Sequence, residues 1–132
     1  MVVIRVNIEY LFDDKDVGVD EFVELANNVW PRNYDKEKVK VALSHTINVT
    51  ARNNGELIGC VRILTDYVFF GTITEILVLP AYQKKGIGKA LMEQVMENTP
   101  TNLYFGAQPV AEGFYEKIGC QKGMQSYTIK KK

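Results

Sequence analysis

The chain has 132 residues, and its 16 basic side chains balance 16 acidic ones, so the formal net charge at neutral pH is zero. This length predicts one domain, over residues 1–132. The charge balance argues against a dedicated nucleic-acid-binding protein, which usually carries a strong basic excess. No apolar run approaches the roughly 18 residues that a membrane span requires, so no membrane association is expected.

The first residues and the cysteines favour a cytoplasmic protein. Residues 1–6 are apolar, but they are too few for a secretory signal and suit a first strand. Cys60 and Cys120 lack the spacing of a metal site, and no metal ion is expected. Because Cys60 falls within a predicted strand, a small buried thiol is favoured over a disulfide. A reducing cytoplasm is the simplest compartment.

The first half of the chain predicts strands and helices in the order β-α-α-β-β. Residues 2–10 alternate as a strand does, and a helix ended by Pro31 follows. Asp35 is suited to cap a second helix. Strands at 47–52 and 57–64 are joined by Asn53-Asn54-Gly55, which is a strong signal for a two-residue hairpin. The apolar positions of the two helices are Val19, Phe22, Val23, Ala26, Val29, Trp30, Val39 and Leu43.

The second half predicts the order β-α-β-α-β. Strands are expected at 69–79, 103–105 and 125–129, with helices at 86–97 and 110–118. Tight turns predict antiparallel pairing, and the later β-α-β unit predicts a parallel pair. The predicted fold class is therefore α/β, with a mixed central sheet and helices on both faces. The inward positions of the first of these helices are Ile87, Ala90, Leu91 and Val95.

The segment over residues 76–91 is the most informative about function. A short apolar strand ends at Pro80, and two glycines then open an amphipathic helix. Free N–H groups and the positive dipole end at such a helix start suit a phosphate or pyrophosphate. A P-loop, G-x-x-x-x-G-K-S/T, is excluded by Gln83 and Ala90. A dinucleotide fingerprint, G-x-G-x-x-G, is excluded by Leu91 at its third glycine.

What remains is Gln83-Lys84-Lys85-Gly86-Ile87-Gly88, the pattern Q/R-x-x-G-x-G/A after a strand that ends in Val-Leu-Pro. This segment resembles the GCN5-related N-acetyltransferase (GNAT) superfamily, in which it holds the pyrophosphate of acetyl-coenzyme A. The predicted order of elements is also the one that this fold uses. The resemblance therefore implies a GNAT-like acyl-CoA N-acyltransferase fold over nearly the whole chain, with acetyl-CoA as cosubstrate.

A second segment strengthens the resemblance. Residues 108–120 look like the late motif of the superfamily, N-x-x-A-x-x-F/L-Y-x-K-x-G-F. Gln108 and Cys120 depart from it, since asparagine and phenylalanine are usual there. Gln108 keeps an amide for a polar contact with the pantetheine arm. The positions that match are Ala111, Phe114, Tyr115, Lys117 and Gly119.

The resemblance implies acetyl transfer from a thioester to an amine, and the chain offers candidates for both proton steps. Tyr115 is the candidate acid for the departing thiolate; its alternative is an amphipathic core tyrosine. Glu75 is the candidate base, because a strand would place it on one side with Ile73 and Leu77, where apolar neighbours raise a carboxyl pKa. A surface or sheet-ordering glutamate is the alternative. Asp66 and His45 are reserves.

The remaining site residues are expected to bind the cofactor through the main chain. The resembling fold splays the strand at 77–79, so that the pantetheine pairs with it like an added strand. The amide of Val78 is the candidate donor to the developing oxyanion. Lys84 and Lys85 add charge or form a solvated bend. The expected cofactor-binding residues are Leu77, Val78, Leu79, Gln83, Lys84, Lys85, Gly86, Ile87, Gly88, Lys89, Gln108 and Tyr115.

Three functions stay open at this point. A small-molecule amine N-acetyltransferase is favoured; a protein lysine or N-terminal acetyltransferase and a non-catalytic acyl-CoA-binding module are the alternatives. An enclosed aromatic pocket would favour the first, and a long groove with acidic walls the second. The aromatic residues that either line the acceptor slot or form core are Trp30, Tyr34, Tyr67, Phe69 and Phe70. A homodimer is a further expectation.

Overall fold

A computed structural model of the protein describes residues 7–132. It contains four strands, four α-helices and two short 3₁₀ turns over that part of the chain. The strands are β1 (Ile8–Leu11), β2 (Ile47–Asn53), β3 (Glu56–Thr65) and β4 (Gly71–Val78). The helices are α1 (Val19–Val29), α2 (Lys36–Ser44), α3 (Ile87–Asn98) and α4 (Glu112–Lys117), and the 3₁₀ turns are Pro80–Tyr82 and Pro109–Ala111.

Local sequence signals explain most of these boundaries. Asp35 caps α2 as predicted, because its side chain accepts hydrogen bonds from the N–H groups of Glu37 and Lys38. The β2–β3 hairpin turns through Asn54 and Gly55, both at positive φ (49° and 86°), which is the conformation of a type I′ turn. Within the described residues, the first strand begins at Ile8 and ends at Leu11; residues 2–6 of the predicted span 2–10 lie outside the described residues.

The four strands form one antiparallel sheet in the order β1-β2-β3-β4. The prediction of a mixed sheet is therefore wrong for residues 7–132, because neither of the last two predicted strands forms there. Within residues 7–132, the segment at 103–105 forms one backbone hydrogen bond with β4. The Tyr104 N–H donates to the carbonyl of Gly71, the first residue of β4, at 3.0 Å. A strand needs a continuous ladder of partners for its polar backbone groups, and the alternation of side chains cannot supply that ladder.

The predicted strand at 125–129 is likewise absent, and residues 119–132 contain no helix or strand. Met124, Tyr127 and Ile129 are each about nine-tenths exposed or more, so the apolar positions of this segment find no face to cover. The segment that precedes it in the predicted β-α-β order, 103–105, is itself no strand. The alternation over 125–129 therefore has no ladder to extend.

The predicted placement of helices on both faces of the sheet is confirmed. One core lies between the sheet and α3, and it includes Val49, Val61, Ile63, Leu91 and Val95. The other core lies beneath α1 and α2, and it includes Phe22, Leu25, Leu43, Cys60 and Leu77. Burial raises the pKa of the Cys60 thiol to about 12, so this cysteine is the inert buried residue that the sequence predicts.

A buried ionic cluster attaches the start of α1 to the sheet. Asp14, 5% exposed, accepts hydrogen bonds from Thr50 Oγ1 at 2.8 Å and Arg52 Nε at 2.9 Å. The other guanidinium nitrogens of Arg52 donate to both carboxylate oxygens of Glu21, at 2.9 and 2.8 Å. Glu21 in turn accepts from the N–H of Gly18, the N-cap residue of α1. Arg52 therefore joins β2 to α1, which forms one wall of the site described below.

The charges of this cluster depend on one another. Burial alone would raise the pKa of Asp14, but hydrogen bonds from the Asp16 N–H, Thr50 and Arg52 outweigh it and lower that pKa. The Arg52 guanidinium likewise lowers the pKa of Glu21. Carboxyl groups with lowered pKa values stabilise the fold above their unfolded pKa values of 3.8 and 4.5. That stability is lost as the pH falls through the folded values.

We expect Arg52→Met to lower the free energy of unfolding at pH 7 by about 3 kcal/mol, because it leaves Asp14 buried and unpaired. The matched control is Lys36→Met, which removes an exposed ion pair of the same length, 2.9 Å to Asp20, and should cost about 0.5 kcal/mol or less. Urea denaturation measures both. The difference between wild type and Arg52→Met should shrink below pH 4, and equal effects of the two variants would contradict the prediction.

Candidate active site

The outer edge of β4, on the side away from β3, has no neighbouring strand among residues 7–132. The Leu79 N–H donates to the Ile58 carbonyl of β3 at 2.9 Å. Since successive residues of an antiparallel strand direct their polar groups to opposite sides, Val78 faces away from β3. The Val78 carbonyl indeed accepts a hydrogen bond from Gln83 Nε2 at 3.0 Å. Among the three amides expected to bind the cofactor, those of Leu77 and Leu79 face β3, and only that of Val78 faces outward.

A β-bulge at Thr74 decides which side chains of β4 reach each face of the sheet. Ile73 pairs with Ile63 and Glu75 with Arg62, so Thr74 has no partner of its own. Ile73 consequently belongs to the core under α3, whereas Leu77 belongs to the core under α1 and α2. The prediction that Glu75 shares a side with Ile73 is wrong, because the bulge reverses the alternation. Glu75 shares the α1–α2 side with Leu77, as predicted.

The start of α3 presents free backbone donors. Gly86 is the N-cap residue at φ 82°, and no side chain caps the helix. The first helical bond runs from the Ala90 N–H to the Gly86 carbonyl, so the N–H groups of Ile87, Gly88 and Lys89 remain available. A Cβ on Gly86 would meet nothing within 4 Å, so this face is open. Free N–H groups at a helix start are the geometry that an anion site requires, and the anion site itself stays a prediction.

The turn before α3 is concave and positively charged. Lys84 (φ 62°) and Gly86 lie at positive φ and Lys85 does not, and such an alternation turns successive N–H groups toward one point. The left-handed backbone of a lysine costs about 1 kcal/mol of stability, and strain of this kind is typical of ligand-binding turns. Lys84, Lys85 and Lys89 are all exposed around it. These residues could hold a diphosphate by N–H groups and charge together.

Tyr115 borders the core between the sheet and α3. It packs edge-to-face on Phe105 and Phe114, with ring centroids 5.0 and 5.2 Å apart. Phe114 also approaches α3, since a Cβ built on Gly88 would lie 3.7 Å from its ring. Burial, and to a smaller extent Cys120, raises the pKa of the Tyr115 hydroxyl above its ordinary value of 10.0. The tyrosine is therefore protonated at neutral pH and can donate that proton.

The end of α4 fixes the position of Tyr115. The Gly119 N–H donates to the Glu116 carbonyl at 3.1 Å and the Cys120 N–H to the Tyr115 carbonyl at 2.9 Å, with Gly119 at φ 102°. These paired bonds form a Schellman motif, which favours glycine at the left-handed position. The glycine of the late sequence motif thus has a structural reason in this chain.

Glu75 is held by an ion pair on the opposite face of the sheet. Its carboxylate accepts two hydrogen bonds from Arg62, at 2.5 Å from Nε and 3.0 Å from the terminal nitrogen. Thr74 Oγ1 donates to the same carboxylate. The Arg62 guanidinium also stacks 5.6 Å from the centre of the Phe22 ring. Glu75 is therefore a fixed, partly exposed carboxylate rather than one isolated among apolar neighbours.

A cavity of about 430 Å³ opens beside this ion pair, between α1, α2 and the ends of β3 and β4. Arg62, Thr74, Glu75 and Leu77 form its sheet side, and Gln108 lies at its border. Trp30 and Tyr34, two of the aromatic residues expected near the acceptor, line it together with Phe22 and Arg32. The Tyr34 hydroxyl donates to the Trp30 carbonyl at 2.8 Å, which fixes the ring.

Other candidate residues lie elsewhere. Tyr67, Phe69 and Phe70 are exposed on the β3–β4 loop, outside this cavity. Asp66 accepts three backbone N–H bonds in that loop, from Phe70, Val68 and Phe69, which lower its pKa, and it does not line the cavity. His45 is the exposed C-cap residue of α2. No cluster of three or more potential metal-ligating His, Cys, Asp or Glu side chains occurs in residues 7–132.

Three residues of the site were not assigned a role by the sequence. Arg62 holds Glu75 in the ion pair, and Thr74 forms the bulge that places Glu75 on this face. No local sequence pattern predicts either feature. Arg32 lines the cavity after α1 ends, where only Pro31 was noted. The available signal for the ion pair was an arginine and a glutamate on two successive predicted strands, 57–64 and 69–79.

Comparison with known proteins agrees with this geometry. The model of the acetyltransferase (GNAT) family matches residues 18–120. A red-algal protein of Porphyra purpurea, named uncharacterized N-acetyltransferase ycf52, is 29% identical over 122 residues, which cover 86% of this chain and 70% of the relative. A Glycine max protein named histone acetyltransferase TAP1 is 32% identical over 122 residues, covering 80% of this chain and 53% of the relative.

Solved structures share the fold. The structure of AAC(6')-Iy in complex with the bisubstrate analog CoA-S-monomethyl-acetylneamine superposes with a TM-score of 0.75 and 16% identity, covering 96% of this chain and 99% of that one. At this identity the likeness concerns the fold alone. No helix among the described residues is long and apolar enough to cross a membrane. The family match, the fold and the open β4 edge together identify the chain as an acetyltransferase enzyme of the GNAT family.

Proposed function

We propose that this enzyme transfers the acetyl group of acetyl-CoA to a primary amine of a small molecule by direct attack in a ternary complex. The amine nitrogen forms a bond to the acetyl carbon, and the bond from that carbon to sulfur breaks. The amine loses one proton to Glu75, directly or through a water molecule, and the thiolate gains one from Tyr115. The products are an N-acetylated amine and free coenzyme A.

The geometry around β4 supports donor binding. The outward amide of Val78 can bond the pantetheine or the thioester oxygen, and the free N–H groups at the start of α3 suit the pyrophosphate. Leu77 and Leu79 then contribute side-chain contacts rather than amides. Gln83 contributes through the shape of the turn, because its side chain already bonds the Val78 carbonyl. Gln108 is exposed and can reach a polar group of the arm.

The two proton-transfer residues lie on opposite faces of the sheet. Tyr115 borders the core under α3, and Glu75 lines the cavity on the α1–α2 side. Ile76 and Val78, the outward residues of β4, pack against the same core as Tyr115, and we infer that the outer edge of β4 runs between the two proton-transfer residues. A thioester bound along this edge would have its sulfur toward Tyr115 and its carbonyl carbon accessible from the cavity. This arrangement, in which one side serves the leaving group and the other the nucleophile, is the observation that carries the proposal.

The cavity favours a small acceptor over a protein. Its lining combines aromatic and apolar side chains with Arg32, Arg62, Thr74 and Gln108, and Glu75, its one carboxylate, is already paired with Arg62. Arg32 and Arg62 give this lining more positive than negative charge. A basic peptide would favour a groove with acidic walls, which this cavity lacks. The free thiols of Cys60 and Cys120 fit a reducing compartment, and the cytoplasm is the simplest proposal.

The proposal is tested by thiol release from acetyl-CoA across amines, polyamines, amino acids, aminoglycosides and lysine peptides. We expect turnover with at least one small amine and none with peptides, because the cavity lining carries more positive than negative charge and offers no acidic wall to a basic peptide. Calorimetry with coenzyme A accompanies the assay. Turnover confined to peptides would establish the protein acetyltransferase instead, and tight coenzyme A binding without any turnover would establish a non-catalytic module.

Tyr115→Phe removes the proton donor and keeps the ring packing. We expect kcat to fall about 100-fold, the lower end of the range for general acid catalysis, because a thiol of pKa about 8.5 is already a fair leaving group. The Kd for coenzyme A should stay close to that of wild type. Tyr104→Phe, on a neighbouring segment outside the cavity, is the control. A turnover number unchanged in Tyr115→Phe would remove this residue from the reaction.

Glu75→Gln keeps the size of the side chain and removes its charge. We expect kcat/KM for the amine to fall about 100-fold, with the acidic limb of its pH profile moving toward the pKa of the free amine. The pH profile separates two roles of Glu75. A base moves that limb, whereas a residue that only orders Arg62 lowers the rate equally at every pH, and the second pattern would refute the base assignment.

A further inference from the structure

The turn that offers the anion site has few attachments of its own. Residues 83–86 are exposed, and α3 begins without a side-chain cap. Within the turn, the Tyr82 N–H donates to the Leu79 carbonyl at 2.8 Å and the Gln83 N–H to the Pro80 carbonyl at 3.3 Å. These are local bonds between neighbours. A turn with a left-handed lysine needs a more distant support to keep one shape.

Tyr82 supplies that support by reaching another part of the chain. Its hydroxyl is 2.8 Å from Asn53 Nδ2, which donates to it from the end of β2, 29 residues earlier. Asn53 is fixed in turn as the register partner of Ile8 and of Glu56. Its other amide atom, Oδ1, is buried and has no hydrogen-bond partner among residues 7–132. The Asn53 amide is therefore committed to Tyr82.

The ring of Tyr82 holds a charge of the anion site. The Lys85 ammonium lies 5.9 Å from the ring centroid, within the distance at which an aromatic ring attracts a cation. The ring also packs against the core under α3. Tyr82 thus connects the β2–β3 hairpin, the core and a lysine of the turn. The sequence did not place it among the residues expected to touch the cofactor.

We propose that Tyr82 is a positioning residue for donor binding: Asn53 fixes its hydroxyl, and its ring holds Lys85 beside the site for the pyrophosphate. The inference rests on the proposed function, since it assumes that acetyl-CoA binds at this turn. Its effect is confined to the phosphate end of the donor. The acetyl end and the acceptor cavity lie beyond the other end of the turn, at Val78 and Glu75, and are untouched by it.

The test compares two donors that share the thioester and differ in the phosphate. Acetyl-CoA carries the pyrophosphate, and S-acetylpantetheine does not. We expect Tyr82→Phe to raise the KM for acetyl-CoA and the Kd for coenzyme A about three- to tenfold, the loss of one hydrogen bond, with kcat unchanged. Tyr82→Leu should raise both further because the ring is also lost. With S-acetylpantetheine, kcat/KM should equal that of wild type for both variants.

Asn53→Ala and the double variant complete the experiment. Asn53→Ala should match Tyr82→Phe, and the combination should cost no more than either alone, since both remove the same bond. Tyr67→Phe, at an exposed tyrosine on the β3–β4 loop, is the matched control. Equal losses with both donors would mean general destabilisation and would overturn the inference, as would no loss with either. Wild-type protein that binds no coenzyme A in calorimetry would overturn the proposed function as well.

Discussion

The exposed outer edge of β4 is the feature on which the rest of the site depends. One edge of the strand is paired with β3 along its length, while the other forms hydrogen bonds within residues 7–132 at Gly71 and Val78, with the Tyr104 N–H and the Gln83 side chain. An unpaired edge with free polar groups is a liability in most sheets, because it invites pairing with other chains. Here the second half of that edge presents the outward amides of Ile76 and Val78, close to the start of α3. A ligand that forms main-chain hydrogen bonds is a natural partner for it.

The bulge at Thr74 gives this edge two different sides. Without it, Glu75 would follow Ile73 into the apolar core under α3, where an ionised carboxylate would be costly. With it, Glu75 reaches the cavity beneath α1 and α2 and pairs with Arg62, its register partner on β3. Tyr115, from the other face, stays in apolar surroundings that keep it protonated. One extra residue in a strand therefore separates the environments of a proposed acid and a proposed base.

The two halves of the site are built by different means. The proposed donor side consists of main-chain groups: the outward amides of β4, a turn of alternating φ and the first N–H groups of α3. Such groups depend little on side-chain identity. The proposed acceptor side consists of side chains from α1, α2 and the sheet, and the buried Arg52 cluster holds α1 against the sheet. In this proposal, acceptor preference can change without disturbing the donor side.

The sequence by itself determined the fold class, the glycine-opened helix and the family, because each rests on local signals. Turn residues such as Asn54 and Gly55, the cap at Asp35 and the pattern from Gln83 to Gly88 act over a few positions. Only the tertiary structure decided which strands pair, which face Glu75 occupies and which partners hold Arg62 and Tyr82. Pairing of 103–105 or 125–129 requires an edge elsewhere in the chain, and alternation cannot show whether that edge exists. A bulge likewise arises from register between two strands, so no single segment encodes it.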